Sequence, residues 1–61
     1  MTTTCSVSAT VDDLSRIAGV RHGLRQALEL ALGYEREGYK DIRVEVEGVV
    51  YSLAQFRMLV E

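Results

Sequence analysis

Cys5 and His22 are the single cysteine and the single histidine of this chain. They are its only candidates for a thiolate nucleophile and an imidazole base. That chemistry needs the two within hydrogen-bond reach and a third group orienting the ring, and no local signature supplies it. The simpler reading makes Cys5 a small core hydrophobe and His22 a surface residue. A lone cysteine forms no internal disulfide, and one Cys with one His does not make a zinc cluster. No catalytic residue, metal site or cofactor is expected, and the chain reads as non-enzymatic.

The carboxylates have plain explanations. Asp12-Asp13 suits the N-cap and first turn of a helix, where the positive end of the helix dipole favours acids. Glu35 and Glu37 diverge on a helix, and Glu45 and Glu47 read as the solvated face of a strand, where charge discourages edge aggregation.

The basic groups are more concentrated. Arg16, Arg21, His22 and Arg25 lie in a stretch without an acid, in a chain whose net charge is −2. Gly19 and Gly23 bracket Val20-Arg21-His22 within it. If that segment is a turn between two helices, the element order becomes strand–helix–helix–strand–strand–helix. That order, with a basic glycine-bracketed loop, resembles the K-homology family of single-stranded nucleic-acid-binding domains. There a G-x-x-G loop between two helices grips the backbone of about four nucleotides. The resemblance implies nucleic-acid binding through Arg21, His22 and Arg25. Here the glycines enclose three residues where the family has two, and the pI of about 5.3 runs against phosphate binding. The other reading of the same arginines is a solvated helix face.

The elements that would carry these residues follow from periodicity. Cys5, Val7, Ala9 and Val11 alternate with Thr4, Ser6, Ser8 and Thr10, as on a strand with one buried face. A flexible tail over residues 1–10 is the alternative. Ile17, Val20, Leu24, Ala27, Leu28 and Ala31 recur at three-and-four spacing, which predicts one long amphipathic helix from the aspartates to about Glu37, stopped by Gly38. Gly19 and Gly23 each cost a helix interior roughly 1 kcal/mol, so a kink or a turn there is the competing expectation.

The C-terminal third is the most sharply specified. Ile42, Val44 and Val46 alternate with charged residues, and Glu47-Gly48 suits a two-residue hairpin turn. That register sets Val46 against Val49 and Val44 against Tyr51. Ser52-Leu53-Ala54-Gln55 has the pattern of a capping box, with Tyr51 and Phe56 placed as a hydrophobic staple. The whole predicts a βαββα domain of the α+β class, its long helix packed on a small three-stranded sheet. Ser6, Ser8, Arg43 and Glu45 would face water.

At 61 residues the chain is one small domain with a thin stability margin. No apolar run is long enough to cross a bilayer, the start lacks a secretory pattern, and a cytoplasmic protein is the default expectation. Leu30, Val50 and Met58 fall outside the predicted buried faces, and Tyr34 and Tyr39 cluster near the far end of the long helix. Apolar residues grouped on so small a domain point to a partner. The leading expectation is a self-associating protein-interaction module, a homodimer or a binder of another protein, using the overhang of the long helix or its tyrosine end. Nucleic-acid binding is the alternative, and no membrane is implied.

Overall fold

The computed structural model describes residues 3–12 and 15–61. Six elements follow in order: β1 (Thr4–Thr10), β2 (Arg16–His22), α1 (Leu24–Arg36), β3 (Lys40–Val46), β4 (Val49–Ser52) and α2 (Leu53–Val60). The strands form one antiparallel sheet in the order β2-β1-β3-β4, with both helices on a single face. The class is α+β, as expected, but the sheet has four strands rather than three.

The fourth strand comes from the predicted first half of the long helix. Arg16–His22 is β2, paired with β1 in a continuous register from Thr4–His22 to Thr10–Arg16. The long helix is therefore replaced by a strand and a 13-residue helix. Gly19 and Gly23 explain the outcome. Both would be losses in a helix, whereas in the observed fold each has a use. Gly19 lies under α1, where its missing side chain makes room for Leu30 and Tyr34. Gly23 has φ of +122°, which only glycine adopts readily, and so breaks strand from helix within one residue. Asp12 helps close the β1–β2 turn, its Oδ1 accepting from the Ser15 amide at 2.9 Å, instead of capping a helix. Its predicted capping partner Asp13 lies outside the described residues.

β1 is an interior strand. Cys5, Val7 and Ala9 are fully buried, and Cys5 and Val7 cluster with Ala27, Leu28 and Ala31 of α1, Val44 of β3 and Phe56 of α2. The core is aliphatic apart from one ring, as the composition dictates. Gly38 terminates α1 in the left-handed conformation, φ +83°. The Tyr39 amide donates to the Tyr34 carbonyl and the Gly38 amide to that of Glu35, the paired bonds of a Schellman stop.

The hairpin is as predicted. Val46 faces Val49 and Val44 faces Tyr51 across Glu47-Gly48, both of which have positive φ, the mark of a type I′ turn. Ser52 Oγ accepts from the Gln55 amide at 3.2 Å, and Gln55 Oε1 accepts from the Ser52 amide at 3.1 Å. Tyr51 and Phe56 rings lie 6.3 Å apart across that cap. This junction lets β4 run straight into α2 without a loop.

Candidate interaction surface

Antiparallel pairing puts directly opposed residues on one face. Thr4, Ser6 and Ser8 of β1 thus share the helix-free face with His22, Val20 and Ala18 of β2, and with Glu45 and Arg43 of β3. Cys5 lies on the opposite, buried face. His22 Nδ1 sits 3.4 Å from Thr4 Oγ1, so the sheet separates the thiol from the imidazole. Burial pushes the Cys5 thiol up from its ordinary value, away from the thiolate form. Among the described residues no three of His, Cys, Asp and Glu converge as metal ligands would.

The open face carries a polar network. One register shift between β1 and β3 leaves Asp41 and Ile42 opposite Ala9 alone, a β-bulge with Asp41 at φ +53°. Asp41 accepts from Arg16 at 3.1 Å and from Arg43 at 3.2 Å, while Arg16 also donates to Ser8 and Thr10 hydroxyls at 3.0 and 2.8 Å. The arginines line a shallow depression of about 390 Å3 with Ser6, Ser8, Glu45 and Val50. Both guanidinium groups are held by the one Asp41 carboxylate, and Glu45 on the same face brings these four charges into balance. The network ties three strands together.

The apolar residues tell a different story. Leu30 and Tyr34 are half-buried and packed against the core. Tyr34 and Tyr39 rings contact each other at 5.7 Å, as the apolar pair that accompanies the helix stop. Val50, by contrast, lies on the helix-free face opposite Glu45 and Met58 lies on α2 across the sheet, but both border the exposed β4 edge together with Val49 and Leu59. Met58 is 84% exposed, Val50 55%, Leu59 52% and Val49 51%. With Tyr51 and Gln55 they border an open apolar depression of about 590 Å3 where β4 meets α2. The capping box is what brings a strand edge and a helix side together here. The signal in the sequence is the two adjacent apolar pairs, Val49-Val50 and Met58-Leu59.

Arg21, His22 and Arg25 are all exposed, at the end of β2 and in the first turn of α1. The glycine-bracketed loop between two helices does not form, because Gly19–His22 is strand. Arg21 folds back along the edge, donating to the Val20 carbonyl at 2.8 Å. No helix among the described residues is long and apolar enough to cross a membrane. No protein-family model matches the chain, no curated protein or solved structure matches it significantly, and so no family is assigned to it.

Proposed function

We propose that this chain is a non-enzymatic protein-interaction module that self-associates, two copies burying the β4–α2 surface against each other about a two-fold axis. The observation that carries this reading is the contiguous exposure of Val49, Val50, Met58 and Leu59. Covering such side chains is favourable by ~25 cal/mol per Å2 of apolar surface. A monomer of this size gains little from its own core, so a shared surface contributes a large fraction of its stability.

A second copy is the favoured occupant because the surface is self-compatible. β4 carries no charged residue, and the charges beside the patch, Arg57 and Glu61, approach each other at 3.9 Å within one chain. The two-residue turn makes Val46–Val49 a hydrogen-bonded pair, and alternation then turns the Val50 amide and carbonyl outward. Two β4 strands related by a two-fold axis at Val50 exchange those groups and place Met58 and Leu59 of both copies over the seam. The Ser52 amide is taken by Gln55, which limits the pairing to that short stretch.

An NMR dilution series tests the surface. Amide and methyl signals of Val49, Val50, Met58 and Leu59 move with concentration, while those of Ala18 and Val20 on the far edge stay still. Concentration-independent spectra, or shifts confined to β2, exclude this reading.

A further inference from the structure

The opposite edge of the sheet, β2, has different chemistry. Two bonds flank its pairing with β1: Gly23 amide to Thr3 carbonyl at 2.7 Å, and Val11 amide to Ser15 carbonyl at 2.9 Å. They fix the alternation of the ladder, so that Ile17, Gly19 and Arg21 pair with β1. Ala18 and Val20 then present their amides and carbonyls to the outside. β2 is seven residues long and holds Arg16, Arg21 and His22 with no acid. Arg16 is already bound to Asp41, and a second copy of this edge would bring the Arg21 guanidinium no carboxylate, whereas an acidic partner strand does.

We propose that the β2 edge is a docking site for an acidic extended segment of another protein, which adds as a fifth strand. Backbone groups of Ala18 and Val20 supply the ladder, the mode by which extended peptides join a sheet edge. Arg21 sets the charge preference. Its guanidinium donates to the outward Val20 carbonyl at 2.8 Å, a bond that a neutral incoming strand has to share or displace. A carboxylate on the incoming strand offers the guanidinium a charge-assisted bond in exchange and uncovers that carbonyl. Register assigns the sides. Arg21 is on the α1 side of the sheet with Gly19, so the acids of the partner belong there. Ala18 and the half-exposed Val20 are on the open face, so its alternate residues there are apolar.

The test is a titration of the full chain with a peptide alternating glutamate and valine, followed by amide NMR and hydrogen exchange. Comparison probes are the same peptide with alternate amides N-methylated, the lysine version, and an oligothymidine. The expected result is shifts at Ala18 and Val20, slower exchange of those two amides, and about tenfold weaker binding by the N-methylated peptide, which lacks the ladder donors. Arg21→Glu, at an exposed position, weakens the glutamate peptide about tenfold and favours the lysine peptide instead. Equal binding of the N-methylated peptide would overturn strand addition in favour of bulk charge. Tighter binding of oligothymidine at the same salt, centred on Arg21, His22 and Arg25, would assign the edge to nucleic acid. No shift with any probe removes the site. None of these outcomes bears on association through β4, so the two readings fail separately.

Discussion

A Cβ on Gly19 would lie 2.9 Å from Leu30 Cδ2, closer than real contacts allow, and 3.2 Å from Tyr34 Oη. This glycine is therefore the seat on which α1 crosses the edge strand, and its place in the sequence is explained by packing from the other side. Gly19→Val is expected to lower stability by about 1 kcal/mol, the low end for overpacking, because the atoms it meets are the ends of the Leu30 and Tyr34 side chains. Leu30→Ala in the same chain relieves the clash, so the double variant loses less than the sum of the singles. Urea midpoints of the four chains measure this; strict additivity would mean that Gly19 and Leu30 do not share the space.

Glu47 adopts φ +51° and Gly48 φ +84° in the hairpin turn. A left-handed conformation is costly for most side chains and cheap for asparagine and glycine. Glu47→Asn is expected to stabilise by about 0.5 kcal/mol, and Gly48→Ala to destabilise by about 1 kcal/mol. Thermal unfolding of the pair reads both signs, and a neutral Glu47→Asn would count against the type I′ turn.

Ser52→Ala removes the oxygen that accepts from the Gln55 amide at the start of α2. The expected loss is about 1 kcal/mol. Because β4 passes directly into α2 at this residue, the exchange of the Val49 and Tyr51 amides, which face β3, should speed up together with that of α2. Faster exchange in α2 alone would separate the two elements.

Burial is the main cause of the raised Cys5 thiol pKa; a backbone hydrogen bond at Gly23 offsets part of it, and the Glu47 carboxylate adds to the rise. The folded state thus holds this proton more tightly than the unfolded chain does. Stability from this group is complete below the unfolded thiol value of about 8.5 and is lost as pH rises through the higher folded value. The urea midpoint should therefore fall above that range, and Cys5→Ala should flatten that part of the slope. Identical slopes for the two chains would deny the thiol any part in it. A thiol-specific disulfide reagent should react only as fast as the native chain opens.

What could be read from the residues was what is local. The hairpin register, the Glu47-Gly48 turn, the Ser52 box with its Tyr51–Phe56 staple, and the Gly38 stop each depend on residues close in sequence, and all are present. β2 was misread because its period-two signal is erased by its own packing. The inward positions are Ile17, Gly19 and Arg21, of which Gly19 borrows its apolar cover from Leu30 and Tyr34. The outward positions include Ala18 and Val20, so Ile17, Val20 and Leu24 fall by accident on a helical spacing. The β-branched Ile17 and Val20 beside two glycines were the signal for a strand. Of the surface residues, Tyr34 and Tyr39 are absorbed by the helix stop, a contact that needed the C-cap geometry to be seen. Val50 and Met58 border one depression only because α2 folds back along β4.

Self-association through β4 and α2 is tested most directly by sedimentation equilibrium of the intact chain, the Met58→Asp chain and the Arg21→Glu chain over a wide concentration range. The expected result is a reversible dimer for the intact and Arg21→Glu chains, and a folded monomer for Met58→Asp, whose side chain is too exposed to be needed by the core. An intact chain that remains monomeric at every concentration, or a dimer that Met58→Asp leaves unchanged, would contradict it.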